Sequence, residues 1–540
     1  MQWIIPAFGP EYVIYAGGPT RDKVRQCIQH FSDLLGIERV TVLQHTGYTM
    51  IDGVRCYITR DGGITGDGIR TDVETDLDGV LKAYNLPEPV SGQTLREDAL
   101  AELRILDLAP DEVSGPLFAV QALALCSEFE PVDVVLILHG PTGTGKSEVA
   151  MIAASHGGDF DRHNAVSANS TYSAIGLLSF RAKNALLVID DFAPDGNAAQ
   201  QDRSQGTIQA VIRQGGNVSG KSRMRRDGTL QQEFYSRGVL LLTGEDLPRG
   251  HSINGRLFGI EVGPGSIDWQ VMTELQEARR RRAFARLNAS IISWIIRNWD
   301  AVRETYLEQV DVHAKRLRVL PLAHARHANA MAMLLAASGI WLDGMVELEA
   351  ITKAEADAAW ARVARGIEIA GLAQSEAVRA VDPCQQFLRL VGSAIGAGDA
   401  HLSAPDDNGP PTNATVLGWT MQMLRTRDGL EPDFRTRGPR IGWIDDRGVF
   451  LLPDAALNAV QQLGRSQGIS IPWASKTLGK RLAEAGHLLS TEAGRNTQKV
   501  RVAGSFQRVW HLPTAAIIDI APPSDETQSV IAFDRRKESA

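Results

Sequence analysis

Three short stretches carry the residue types that phosphate chemistry needs. Gly140-Pro141-Thr142-Gly143-Thr144-Gly145-Lys146-Ser147 is a glycine-rich loop that ends in a lysine and a hydroxyl. Glycines let main-chain N–H groups converge on phosphate oxygens, Lys146 brings positive charge to the β and γ phosphates, and Ser147 offers a hydroxyl to Mg²⁺. Further along, Leu186-Leu187-Val188-Ile189 runs directly into Asp190-Asp191. Two acids at a strand's end beside such a loop fit a division of labour, with Asp190 on Mg²⁺ and Asp191 orienting or deprotonating the attacking water. The third stretch, Gly238-Val239-Leu240-Leu241-Leu242-Thr243-Gly244-Glu245, delivers a hydroxyl, Thr243, to sense the γ-phosphate or its water. Together these residues point to a site that binds and hydrolyses a nucleoside triphosphate with Mg²⁺.

The elements that must position them are legible in the same segments. Val134–Leu138 is an apolar run, read as a buried parallel strand, and Glu148–Ala153 after the loop reads as a helix. Strand, glycine loop, helix is the context a phosphate loop requires, and buried parallel strands deliver their C-terminal residues to the rim where ligands bind. Ala165–Ala168 is expected as a second strand, with helices over Ser173–Phe180 and Ser204–Arg213.

Two basic features follow. In Gly220-Lys221-Ser222-Arg223-Met224-Arg225-Arg226-Asp227-Gly228 the cations Lys221, Arg223 and Arg225 alternate as along one face of a strand, with Arg226 beside them and a tight-turn signal at Asp227-Gly228. A basic hairpin here suits a phosphate backbone, while a solvated charged loop is the competing reading. Arg256, in Asn254-Gly255-Arg256-Leu257, stands at the head of a strand. There it is either a surface arginine or one that enters a neighbouring subunit's site, and the residues alone leave both open.

Downstream, Arg279–Arg282 reads as a solvated helical face, and helices over Ser293–Leu307 and Ala323–Ala337 read as a lid from which Arg326 would face the nucleotide. Gly396–Thr415 reads as an exposed connection between two helices. The C-terminal part reads as a winged helix: helices Asp454–Gln467 and Pro472–Gly486, strands Leu488–Thr491 and Lys499–Val502 paired around Gly494-Arg495-Asn496, and a last strand Gln507–Leu512. Between Trp473 and His511 seven basic residues face two acids in a chain whose net charge is −8. Lys476, Lys480 and Arg481 on the second helix, and Arg495, Lys499 and Arg501 on the wing, are therefore candidate DNA contacts. A protein-binding winged helix is the alternative.

The chain has 540 residues, room for several domains. Its mild acidity argues against a protein that coats nucleic acid over its whole surface, so DNA contacts must be local. Cys27, Cys56, Cys126 and Cys384 are widely spaced, which fits a reducing compartment and no zinc site. Met1–Pro6 lacks a signal peptide's character and no run reaches the ~18 apolar residues of a membrane span, so a cytoplasmic protein with no membrane partner is expected. The expected organisation is a small N-terminal α/β module over 1–95, a P-loop core with a parallel sheet flanked by helices over 96–270, a helical lid over 271–375, the winged helix over 376–515, and a disordered tail over 516–540.

In this order, phosphate loop, Walker B strand, sensor strand and downstream arginine resemble the AAA+ ATPases. Smaller motifs, His45-Thr46-Gly47-Tyr48, Ile51-Asp52-Gly53, Gly62-Gly63-Ile64, Asp190-Asp191-Phe192-Ala193-Pro194 and Thr243-Gly244-Glu245-Asp246-Leu247-Pro248, look like a bacterial ATPase family of phages, plasmids and integrative elements. Its characterised relatives, in staphylococcal cassette chromosomes, are similar to the minichromosome-maintenance (MCM) helicases. Most AAA+ proteins carry Asp-Glu where this chain has Asp190-Asp191. The resemblance implies a hexameric, ATP-hydrolysing ring that moves along single-stranded or forked DNA in the replication of a mobile element, with a primase or other replication partner. It also implies roles: Lys221–Arg226 as the pre-sensor hairpin, Thr243 as first sensor, Arg256 as arginine finger and Arg326 as second sensor. Family members carry more sequence before Trp3-Ile4-Ile5-Pro6, so this chain is expected to lack an N-terminal segment such as a primase-like or DNA-binding part. An ATP-dependent origin-binding initiator or helicase loader, and an ATPase that acts on protein without DNA, are the rival functions.

Overall fold

The computed structural model describes residues 18–35, 41–192, 198–217, 234–248, 251–380, 382–426, 429–466 and 474–517, and the chain divides into two units, 1–375 and 376–540. Lys221, Arg223, Arg225 and Arg226 lie outside the described residues, as does most of the expected tail.

The first unit is organised by five parallel strands. Across the sheet they run Leu257–Glu261, Val135–His139, Val239–Gly244, Leu186–Phe192 and Val166–Ser167, which in chain order is fifth, first, fourth, third, second. Valine, leucine and isoleucine fill the central strands without alternation because helices cover both faces and neither side meets water. The sensor strand is thereby inserted between the phosphate-loop strand and the Walker B strand. All three C-terminal ends therefore open on one rim.

Helices Asp111–Cys126, Lys146–Ala154 and Tyr172–Arg181 lie against this sheet, and Trp269–Arg280, Ala283–Arg297, Trp299–Leu317, Ala325–Glu347 and Lys353–Ala380 follow it. Their buried residues join the strands in one continuous apolar cluster. Ala325–Glu347 is long and apolar enough to cross a membrane, but most of it is buried inside the unit, as befits a core helix. Arg279–Arg282 does not form one helical face. The first helix ends at Arg280, Arg282 has φ 60°, and Arg282 pairs with Asp159 at 3.0 Å, so the run is a corner between helices.

The described N-terminal residues hold one helix and several short strands. After the helix Gly18–Leu34, the strand Val42–Leu43 pairs with Glu74–Thr75, and four antiparallel strands, Gly47–Ile51, Val54–Thr59, Gly62–Thr65 and Gly68–Arg70, form a meander. Its first turn uses Asp52 and Gly53, both at positive φ, the pairing a two-residue hairpin needs. The meander is fastened to the entry of the Walker B strand. Thr46 Oγ1 donates to the Lys183 carbonyl at 2.8 Å, Tyr48 N–H to Asn184 Oδ1 at 3.1 Å, and the Tyr57 hydroxyl to the Asn184 carbonyl at 2.9 Å.

The second unit has a five-stranded sheet ordered His401–Ser403, Arg440–Asp445, Gly448–Leu451, Ser505–Leu512, Gln498–Val502, helices Pro383–Ala397, Pro453–Ser466 and Ser475–Glu484, and a separate hairpin of Trp419–Thr426 with Gly429–Thr436. Gly396–Thr415 is thus not a link between helices, since it contains the strand His401–Ser403. The strands expected to form a wing pair differently: Gln498–Val502 pairs with Ser505–Leu512, while Ser490 makes one isolated bridge to His511. The hairpin turns at Ala503 and Gly504, both at positive φ. An alanine in the left-handed region gives no turn signal in sequence, whereas Gly494 does turn the chain, at φ 72° with the Glu492 N–H donating to the Thr497 carbonyl at 3.0 Å, but not between the strands expected to pair.

Candidate nucleotide-binding site

The phosphate-loop strand ends at His139, and the chain then takes a path only glycine permits at two positions. Gly140 has φ 147°, and a Cβ there would lie 2.3 Å from the Val262 carbonyl oxygen. Gly145, φ 90°, caps the helix Lys146–Ala154 in the left-handed region, and its added Cβ would meet the Trp269 ring at 3.1 Å. The loop therefore delivers the N-terminus of that helix, with its unpaired N–H groups and partial positive charge, to the rim. Lys146 is folded over the loop, its Nζ donating to the carbonyls of Gly140 and Pro141 at 2.7 Å each and lying 3.5 Å from Thr144 Oγ1. Burial lowers its pKa from the usual lysine range, and the nearby carboxylates of Glu245 and Asp190 partly offset that shift.

Ser147, Asp190 and Thr243 converge from three elements. Ser147 Oγ donates to Asp190 Oδ1 at 2.8 Å, and the buried Thr243 hydroxyl donates to the same oxygen. Thr243 Oγ1 in turn accepts the Asp191 N–H at 3.1 Å. The local cause is a break in strand pairing. Leu242 opposes Ile189 and Gly244 opposes Phe192, so Asp190 and Asp191 together face the single residue Thr243. Such a bulge bends the strand and re-aims its side chains. Asp191 consequently sits at φ 67°, exposed at the mouth of the cleft, while Asp190 turns toward Ser147.

The cleft has a volume of about 430 Å³ and is lined by two hydrogen-bonded sets of residues. Thr142, Gly143, Lys146, Ser147, Asp191 and Thr243 are the lining residues suited to phosphate and Mg²⁺. Glu245 joins them, accepting a hydrogen bond from the Thr142 hydroxyl, and its carbonyl accepts the Gly140 N–H at 3.1 Å. Glu148, Arg162, Trp269 and Gln276 also line it, with Glu148 accepting from Arg162 Nε at 2.5 Å and from Gln276 Nε2 at 2.8 Å. Sequence reading did not single out these five. Glu245 follows the sensor threonine by two positions and was findable, whereas Arg162, Trp269 and Gln276 belong to no motif.

The arrangement fits a nucleoside triphosphate with Mg²⁺. A hydroxyl and a carboxylate 2.8 Å apart are hard oxygen donors for that ion, and Lys146 rests on main-chain carbonyls that phosphate oxygens would replace.

Arg256 and Arg326 lie elsewhere. The Arg256 carbonyl accepts the Val135 N–H at 2.9 Å, at the start of the strand whose far end opens into the phosphate loop. Five residues of strand separate those ends by about 16 Å. Arg256 Nε donates to Asn217 Oδ1 at 2.8 Å and Arg326 Nη1 to the Gly216 carbonyl at 2.9 Å, and neither lines the cleft. Burial lowers the Arg256 pKa, and the charges of Arg326 and Arg213 lower it further. Burial raises the Asp133 carboxyl pKa, which Arg326 and Arg256 draw back down. The two arginines therefore share one cationic corner near the N-terminal ends of the strands, away from their own phosphate loop.

In the second unit Lys476, Lys480 and Arg481 are exposed on the helix Ser475–Glu484, and Arg495, Lys499 and Arg501 are exposed on and before the strand Gln498–Val502. Lys480 pairs with Glu484 at 3.5 Å. The Lys499 ammonium lies 4.6 Å from the ring centre of Phe506, itself 62% exposed and opposite Arg501.

No family profile matches the chain, and no curated protein does. Among solved structures it is similar to one described as SCCmec type IV Cch, an active helicase, with 15% identity, 91% of this chain and 82% of that one covered, and a TM-score of 0.54. Weaker likenesses are to an inhibitor-bound JCV helicase, with 13% identity, 40% and 65% covered and a TM-score of 0.24, and to the NrS-1 C-terminal region, with 11% identity, 65% and 82% covered and a TM-score of 0.22. The first of these likenesses establishes a shared fold: a mixed α/β core with a parallel sheet flanked by helices.

Proposed function

We propose that this chain is an ATP-hydrolysing DNA helicase or translocase of the AAA+ type, MCM-like, that acts as a ring in the replication of a mobile element. The observation that carries the reading is the junction of Ser147, Asp190 and Thr243 beside a glycine loop, in a sheet whose sensor strand lies between the phosphate-loop and Walker B strands. The fold shared with a solved structure described as an active helicase supports the DNA-directed part. So does the exposed set of Lys499, Arg501 and Phe506, which pairs cations for phosphates with an aromatic face for a base.

In this reading Lys146 leaves the carbonyls of Gly140 and Pro141 for the β and γ phosphates. Ser147 and Asp190 would hold Mg²⁺, which would supply charge neutralisation on the transferred phosphoryl group. Thr243 fixes Asp190 and, through the Asp191 N–H, the backbone of the residue that orients water. Arg256 and Arg326, near the N-terminal ends of the strands, reach a nucleotide only across a subunit interface, which makes the site incomplete in a single copy. Lys221, Arg223, Arg225 and Arg226, by position, would push on the DNA backbone.

The test is ATP hydrolysis by the purified chain with and without single-stranded DNA, with Lys146→Ala as control. DNA-stimulated turnover that this change abolishes supports the reading. Turnover indifferent to DNA favours the protein-directed ATPase, and slow turnover with sequence-specific duplex binding favours an initiator or loader.

A further inference from the structure

Trp269 is 54% exposed, yet it stands at the wall of the cleft against the last glycine of the phosphate loop. The ring approaches so closely that a Cβ on Gly145 would lie 3.1 Å from its Cη2 atom. Its backbone is fixed. Asp268 caps the helix Trp269–Arg280 by accepting the Gln270 and Val271 N–H groups at 2.9 and 3.1 Å, and Gln276, nearly two turns on, ties that helix to Glu148 of the phosphate-loop helix. A large apolar ring left half in water, on a rigid mount, is an open stacking surface. The groups that suit phosphate and Mg²⁺ are other lining residues of the same cleft, Lys146, Ser147, Asp191, Thr243 and Glu245. A triphosphate whose phosphates met those groups would have Trp269 within the same cleft to meet its base.

We propose that Trp269 is the platform for the nucleobase, so that the site selects a purine nucleoside triphosphate by the area of its ring. This rests on the ATPase reading above and adds the part of the substrate that the phosphate-loop residues do not see. Base–aromatic stacking sets the size of the effect: removing the ring weakens nucleotide binding about 5- to 150-fold.

Isothermal titration of the full chain, with Mg²⁺, would compare βγ-imido ATP with inorganic tripolyphosphate, which has the phosphates and no base. Trp269→Ala and Trp269→Leu are expected to weaken the nucleotide analogue by that factor while tripolyphosphate affinity changes less than about 2-fold, and Trp269→Phe is expected to restore most of it. Leu keeps apolar packing against Gly145 without an aromatic face, so it separates stacking from support of the loop. Equal losses for both ligands in Trp269→Leu, or no loss for either, overturn the proposal. A wild-type chain that binds neither ligand instead overturns the ATPase reading beneath it.

Discussion

Ser147, the second residue of the phosphate-loop helix, donates its hydroxyl to Asp190 Oδ1 at 2.8 Å, although the two are carried by elements separated in the sheet by the sensor strand. The contact forms because Thr243, on that intervening strand, binds the same oxygen and because the bulge opposite it turns Asp190 inward. Removing the Asp190 carboxylate therefore withdraws the proposed Mg²⁺ donor and frees two hydroxyls at once. Asp190→Ala is expected to lower ATP turnover by on the order of 10²–10³-fold with the fold retained, measured by phosphate release alongside circular dichroism. Unchanged turnover contradicts the assignment.

Asp191 and Glu245 are both carboxylates lining the cleft, but their partners differ. Asp191 stands free of the Ser147 contact at φ 67°, while Glu245 accepts from Thr142 in the loop itself. Asp191→Asn should reduce kcat about 10²–10⁴-fold with little change in nucleotide affinity, the signature of a lost base or water-orienting group. Glu245→Gln, by removing a negative charge beside the γ-phosphate, should tighten nucleotide binding. Stopped-flow binding and steady-state kinetics separate the two effects, and a larger kcat loss in Glu245→Gln than in Asp191→Asn would exchange their roles.

Arg256 and Arg326 lie together near Asp133 and the N-terminal ends of the strands, away from their own loop. Each substitution to Ala should cut hydrolysis steeply, by about 10³–10⁵-fold for the arginine that contacts the transition state. Mixing Arg256→Ala chains with Asp190→Ala chains should recover activity, because a mixed interface pairs an intact arginine with an intact cleft. No recovery at any ratio argues against action in trans.

The phosphate-binding part was legible because Gly, Lys, Ser and Asp act there through local spacing that a linear pattern records. What joins them was not. The bulge facing Thr243 is a property of strand pairing, and Asp191 at positive φ leaves no mark in composition. Arg326 was expected to face its own nucleotide from a lid, but its helix packs where the guanidinium meets Gly216 instead, a tertiary outcome beyond any periodicity. Trp269 was missed for the same reason: its meaning comes from Gly145, which is remote in sequence.

His156, directly after the phosphate-loop helix, is fully buried with its Nε2 2.7 Å from Glu102. Burial alone would lower its pKa, but the Glu102 carboxylate and the carbonyls of Ala153 and Ile152 raise it above the usual histidine value. Protonation therefore favours the folded chain. The contribution is full below about pH 6.5 and is lost as pH rises through the higher folded-state value. His156→Ala, which strands a buried carboxylate, should destabilise by about 3–5 kcal/mol. Urea midpoints should show the largest deficit relative to wild type at pH 6 and a smaller one at pH 9; a deficit that grows with pH contradicts the sign.

Lys499 and Arg501 project from the same strand beside Phe506. Replacing both with Ala should weaken DNA binding and reduce the slope of log affinity against log salt by about 0.7–0.9 per lost phosphate contact. Fluorescence anisotropy across a salt series measures it, and an unchanged slope removes these residues from the interface.

The most direct test of the central claim, that nucleotide hydrolysis at the Ser147–Asp190 junction drives movement on DNA, is displacement of a labelled strand from a forked duplex. ATP-dependent displacement by the wild-type chain, absent in Lys146→Ala and Asp190→Ala, is the predicted result. Robust ATP hydrolysis with no displacement on any forked substrate would contradict it.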